Sequence, residues 1–256
     1  MTGIELIDAE LPAGVVGGFT TRGGGVSPPP WAELNLALHV TDRRSRVLTN
    51  RDRLGCEIGI GRVGFPQQVH GARVLVVDRK AAGRRQLTRR AGAAGVDALV
   101  TAAHEAPIGV LVADCMPVLI ADPVAGVVAA AHAGRKGLVA GVLQATIEAM
   151  TTLGAEPGRM AAVVGPSICG RCYEVPEQMR DEVSAQLPAS FAQTRAGTAA
   201  LDLPAGATSV IRAEGVNDVR FVGLCTAEDE RFYSYRRDGV TGRFAGVIML
   251  EPDVHR

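Results

Sequence analysis

A chain of 256 residues with 27 basic and 27 acidic side chains has no net charge at neutral pH, and only 4% of its residues are aromatic. It therefore has neither a basic surplus to hold a phosphate backbone nor a base-stacking surface, and nucleic acid is not its expected partner. Hydrophobic residues make up 47%, enough to bury a sizeable core and too many for a disordered chain.

Residues 1–14 (MTGIELIDAELPAG) hold acids and no basic region ahead of an apolar core, so they do not read as a signal peptide. Residues 15–21 read as a strand, followed by a loop running from Arg22 through Gly23-Gly24-Gly25 to three prolines. Residues 43–54 read as an exposed charged helix. Two short apolar runs, 65–69 and 74–77, flank a bend at His70-Gly71. Residues 81–95 read as a basic surface loop.

From Asp97 the apolar runs become continuous, at 98–100, 108–112, 118–120 and 124–132, which fits strands covered on both faces. The most apolar stretch, 108–134, contains Asp114 and Asp122. Two carboxylates inside a span would be costly in lipid, so this stretch reads as buried strands and no membrane partner is expected. Residues 138–153 carry the clearest helical periodicity, with Gly154 just past the end. Residues 160–164 read as a strand, 176–187 and 203–214 as helices, and 221–222, 232–235 and 244–250 as the last strands. The pattern is mixed α and β in one domain, 1–256, with helices layered on sheet. Five cysteines without an export signal suggest a reducing cytoplasm.

The chemistry concentrates in His70, Cys115 and His132, set in PQQVHG, VADCMPV and AAAHAGRKG. Two imidazoles and one thiolate suit zinc, and three protein ligands leave a fourth tetrahedral position for water or substrate, as in catalytic sites. Alone, each reads as an ordinary structural residue; the case rests on the set. Asp114, beside Cys115, is a candidate to orient a histidine or carry a proton. His132 precedes a glycine turn, Arg135-Lys136 and a helix start, an arrangement suited to an anion. Arg22 and the segment 234–239 are further arginine-bearing candidates. Cys169-Gly170-Arg171-Cys172 is half of a structural zinc site or a redox pair. With no second pair in the chain, free thiols in a loop are expected. Cys56 and Cys225 have no partner signal. His39 is a weaker site candidate, and His104 and His255 read as surface residues.

The stretches TTRGGGVSPP, NLALHV, QQVHGARV, DALVT, ADCMPVLIAD, AAAHAGRKG, VVGPSICGRCYEV and FYSYRRDGVTGRFAGVI occur in this order. Together they resemble the YfiH family, also called the polyphenol-oxidase or laccase-domain family and the peptidoglycan editing factors. The resemblance implies an α+β, single-domain, four-layer αββα sandwich with mixed sheets and a zinc site at His70, Cys115 and His132. It implies phosphorolysis of adenosine, inosine, guanosine and methylthioadenosine, and deamination of adenosine. In that reading Arg22, Arg135 and Lys136 bind phosphate. The chain departs from the family where Arg135-Lys136 replaces the usual Trp-Arg, and mildly at Thr41, where glycine is common. Two alternatives stay open: a cysteine- or zinc-dependent amide hydrolase acting on peptidoglycan precursors, and a zinc-stabilised binding module without activity. Multicopper oxidation is disfavoured by only five histidines and no His-x-His pair, although copper can share the zinc donors.

Overall fold

The computed structural model describes residues 3–57, 59, 61–78 and 95–252. The expected basic loop, apart from Gly95, and His255 lie outside them. One sheet holds β1 (Leu6–Asp8), β2 (Val15–Thr20), β5 (Ile108–Val112) and β12 (Phe244–Leu250), in the order β1-β2-β12-β5 and antiparallel throughout. The second holds β3 (Val74–Val76), β4 (Ala98–Thr101), β6 (Met116–Asp122), β7 (Val127–Ala133), β8 (Ala161–Val164) and β11 (Asp218–Phe221), in the order β11-β8-β6-β7-β4-β3. It is mixed: the outermost pairs, β11 with β8 and β3 with β4, are parallel, and the inner pairs antiparallel. A small hairpin joins β9 (Phe191–Gln193) to β10 (Ala199–Leu201). The helices are α1 (Arg44–Glu57), α2 (Arg135–Val139), α3 (Val142–Thr151), α4 (Glu177–Gln186), α5 (Leu203–Ala213) and α6 (Tyr235–Asp238).

The continuous apolar runs explain the layering. Every residue of β6 and β7 is buried, and side chains of a strand alternate between its faces. Val118, Ile120, Ala129 and Ala131 pack with Leu143 and Ile147 of α3 and Ile211 of α5. Their neighbours Leu119, Ala121, Val128 and Ala130 pack with Phe19, Val110 and Ile248 of the other sheet. The four-stranded sheet turns its outer face, Leu111, Ala245, Val247 and Met249, to Leu34, Leu36 and Leu54, the last on α1. Helix, sheet, sheet and helix follow in four layers within a single α+β domain.

Three local expectations are corrected. Residues 65–69 are not a strand. Instead the Gln68 carboxamide takes the place of one, donating to the Leu111 carbonyl at 2.8 Å and accepting from the Leu111 N–H at 2.9 Å. The helix expected over 138–153 is divided between α2 and α3, because Gly141 adopts φ +88°, outside the helical region. Residues 232–235 do not form a strand. Phe232 and Tyr233 are buried, and Ser234 caps α6 by accepting from the Arg237 N–H. Among the described residues no helix is long and apolar enough to cross a membrane.

Leu119 is fully buried between the two sheets. Leu119→Ala is expected to cost about 2–5 kcal/mol, read as a lower urea midpoint with an unchanged slope.

Candidate metal centre

The pairing of β6 with β7 sets Pro117 opposite His132 and Met116 opposite Ala133. Cys115, one residue ahead of β6, therefore arrives beside the C-terminal end of β7. His70 comes from the turn that precedes β3. The ligand atoms of His70, Cys115 and His132 all lie within 4.8 Å of one another, with Cys115 Sγ 3.7 Å from His70 Nε2. The imidazole rings meet edge to face at 79°, with centroids 4.7 Å apart. Zinc bonds of 2.0–2.3 Å in a tetrahedron place donors about 3.3–3.8 Å apart, so the donor set and its spacing fit that ion. Gly134 makes room for the cluster. A Cβ there would stand 2.8 Å from Cys115 Sγ and 3.0 Å from His70 Cδ2.

Asp97, at the start of β4, organises two of the three donors. Its carboxylate is fully buried and receives His132 Nδ1 at 2.9 Å. That bond turns Nε2 of His132 toward the cluster and sets which ring nitrogen keeps its proton. The same carboxylate accepts the N–H groups of His70 and Gly71, both at 2.8 Å, and of Val69 at 3.2 Å. These bonds hold His70 in the left-handed region, φ +63°, a conformation that side chains other than glycine rarely adopt. Burial works against the Asp97 charge, but His132 and the backbone donors outweigh it and keep the carboxyl below its ordinary range.

The same balance ionises the pair above it. Burial opposes a Cys115 thiolate, yet the charge of His132 and hydrogen bonds from His132 and His70 bring the thiol down to about 6. Burial likewise opposes a charged His132, and the Cys115 thiolate with Asp97 overcomes it, raising the imidazole to about 9. Without a metal the pair is a thiolate and an imidazolium at neutral pH.

His70, Cys115 and His132 lie on the wall of a cavity of about 590 Å³. His39, Gln68, Ile168, Tyr173, Tyr235, Arg236 and Arg243 line it with them. Arg236 stacks over the Tyr173 ring at 5.1 Å and donates to the Glu174 carbonyl. Arg243, half-buried, donates to the carbonyls of Thr241 and Gly242. Partial burial, with Arg243 and Arg51 nearby, pushes His39 below the usual imidazole range and leaves it neutral.

Arg22, Arg135 and Lys136 do not line this cavity. Arg22 donates from Nε to the Ala32 carbonyl at 2.7 Å and lies over the Tyr233 ring, anchoring its own loop. Arg135 is half-buried and Lys136 exposed on α2, which is only five residues long. Asp114 lines the cavity too, but it orients neither histidine. Its oxygens accept Thr226 Oγ1, Ser234 Oγ and the Arg236 N–H, each at 2.7 Å, which ties loops together and leaves the orienting of histidine to Asp97. Asp97 opens the stretch DALVT and Arg243 lies within FYSYRRDGVTGRFAGVI, but neither stretch by itself marks the residue as part of a site. An acid opening an apolar strand is the further signal at Asp97.

A four-layer α+β fold with a His-Cys-His cluster at the strand ends defines the class of protein. The family described as "Multi-copper polyphenol oxidoreductase laccase" matches residues 16–251, and the chain belongs to it. A Streptomyces coelicolor protein named a purine nucleoside phosphorylase is 50% identical over 236 residues, covering 91% of this chain and 95% of the relative. The crystal structure of Neisseria meningitidis protein NMB0706 matches with TM-score 0.85 and 36% identity over 98% of this chain and all of that one. That of Bacillus licheniformis YfiH matches with TM-score 0.86 and 30% identity over 98% and 97% of the two chains.

Asp97→Asn is expected to weaken zinc binding about 10–100-fold, measured by competition with a chromogenic chelator. Zinc must displace the protons that its donors hold. Between about pH 6 and 9 these include the proton on His132, and below about pH 6 the proton on Cys115 as well. Affinity should therefore rise with pH up to about 9, most steeply below 6, and calorimetry in buffers of different ionisation enthalpy would count the protons released.

Proposed function

We propose that this chain is a zinc-dependent purine nucleoside phosphorylase, acting on adenosine, inosine, guanosine and methylthioadenosine, that also deaminates adenosine. The observation that carries the reading is the single cavity in which the His70–Cys115–His132 cluster, two tyrosine rings and two arginines converge. Relatives at up to 50% identity are named purine nucleoside phosphorylases, which supports purine nucleosides and phosphate as the substrate class. His70, Cys115 and His132 would hold the ion, which would supply Lewis acidity. Copper fits the same donors less specifically.

The chain's own residues account for the rest. Phosphorolysis breaks the bond from the ribose anomeric carbon to the purine and forms one to a phosphate oxygen. Arg236 and Arg243 place two cations where phosphate would lie, in the role that the sequence reading gave to Arg22, Arg135 and Lys136. Tyr173 and Tyr235 offer faces against which a purine can stack. Neutral His39 offers a hydrogen-bonding ring to the ribose or base. Holding both reactants in one pocket supplies most of the advantage, because such transfers depend on position and charge. A thiolate donor suits a reducing cytoplasm, where we place the protein.

One observation favours a second reading: the thiolate–imidazolium pair of Cys115 and His132 is also the resting state of a cysteine nucleophile in an amide hydrolase. Metal dependence separates the two. With inosine, base release should require phosphate and yield ribose 1-phosphate, and it should vanish on chelation and in Cys115→Ser. Release without phosphate, or none, overturns the phosphorylase, and full activity in metal-free protein supports the nucleophile. Arg243→Ala is expected to raise KM for phosphate at least about tenfold, the loss of one charged hydrogen bond, with zinc retained. Adenosine incubated without phosphate should yield inosine only in zinc-loaded protein.

A further inference from the structure

A second group of metal-ligating side chains lies away from His70, Cys115 and His132. Cys169, Cys172, Cys225 and Glu228 bring three sulfurs and a carboxylate oxygen within 4.8 Å of one another. The sequence reading expected free thiols in a loop at Cys169 and Cys172, and no partner for Cys225. The structure supplies the partners from a distant segment. Ser167 bridges Cys225 in parallel fashion, with the Thr226 N–H donating to the Ser167 carbonyl at 3.1 Å. The Cys169 N–H points to Cys225 Sγ at 3.4 Å.

Each segment then forms a tight turn that presents two donors three residues apart. In the first, the N–H groups of Cys172 and Tyr173 both donate to the Cys169 carbonyl at 3.0 Å. In the second, the N–H groups of Glu228 and Asp229 donate to the Cys225 carbonyl at 3.1 and 2.9 Å. Cys-x-x-Cys facing Cys-x-x-Glu is the two-armed arrangement of structural zinc sites, with a carboxylate in place of one thiolate. The second arm carries no paired-cysteine signal, because its other donor is a glutamate.

We propose that Cys169, Cys172, Cys225 and Glu228 form a second, structural zinc site that clasps the 167–173 loop to the 224–229 turn. Donor spacing up to 4.8 Å needs only a small contraction to reach the roughly 3.8 Å edge of a tetrahedral zinc–thiolate centre. Three thiolates with one hard oxygen match zinc better than copper(I), which favours sulfur alone, or an iron–sulfur cluster, which takes four cysteines. Cys225 is buried and the other two cysteines half-buried, while exposed Glu228 borders an open cleft of about 720 Å³ through which an ion can enter. Glu228 also pairs with Arg195; a carboxylate has a second oxygen, so ligation does not require breaking that pair.

All four protein positions would be filled, so this ion does no chemistry. Its effect would reach the cavity through the two segments it joins. Ile168 and Tyr173 line that cavity, the Ile168 N–H donates to the Asp114 carbonyl at 3.0 Å, and Thr226 Oγ1 donates to the Asp114 carboxylate. Asp114 adjoins Cys115. The second site would therefore brace the wall beside the first, whatever substrate the cavity takes.

Protein purified under reductant after expression with added zinc should hold two zinc ions per chain, with one in Cys115→Ser and one in Cys172→Ser, by elemental mass spectrometry. Cys172→Ser that folds and holds as much zinc as the wild type overturns the proposal. Should that variant fail to fold, Cys56→Ser/Cys115→Ser loaded with cobalt(II) decides, because the only cysteines left are then Cys169, Cys172 and Cys225, and any thiolate-to-cobalt charge-transfer band of a tetrahedral centre must come from them. Absence of the band overturns the site. Glu228→Gln should give up its ion to a chelator at least about tenfold more readily, with the first site's ion unaffected. A disulfide between any two of the three cysteines, found by mass spectrometry in zinc-supplied protein handled without air, also overturns it.

Discussion

A fully buried carboxylate stands at the junction of the whole site. Asp97 receives His132 through one bond and the backbone of residues 69–71 through three. A buried charge is tolerated only when its partners are in place. Here those partners are the residues that carry two of the three donors. Placing Asp97 at the head of β4 thus aligns the end of β7 with the turn before β3. The fold and the candidate metal centre share one polar anchor, and neither reaches its geometry independently of it.

The double-sheet architecture decides where that anchor faces. Strand β7 contributes His132 from one sheet, and Cys115 lies on the connection from β5 of the other sheet to β6. Arg243 immediately precedes β12, and Leu111 and Val112 end β5. Both sheets therefore deliver side chains to a common rim, and the cavity opens where their strands end. The arginines that reach it come from the segment between β11 and β12, not from the helix start after His132. Arg135 and Lys136, on α2, are not among the residues that line the cavity, whereas Arg236 and Arg243 are.

The long elements were legible because burial on two faces leaves an unbroken apolar run. Strand β12 follows its expected bounds residue for residue, α4 is one residue shorter than expected at each end, and α5 is one residue shorter at its C-terminal end. The short strands β1, β9 and β10, three residues each, are too brief for any period to register. Residues 65–69 misled for another reason. Phe65 packs in the core, while a side-chain amide, Gln68, supplies the hydrogen bonds that a strand's backbone would make. The same limit hid the cluster at Cys169. Its second arm ends in glutamate, a residue that carries no ligand signal until a neighbour's thiols stand beside it.

By itself the sequence determined the kinds of donor, the glycine beside them and the apolar runs that become the central strands, since each depends on residue type and local order alone. The resemblance of its motifs extended that to family and layer order. Only the tertiary structure decided that His70, Cys115 and His132 converge, that Asp97 and not Asp114 holds the histidine, and which arginines enter the cavity. Those outcomes follow from strand register and the stacking of two sheets. They bring together side chains far apart along the chain, and local periodicity carries no trace of that distance.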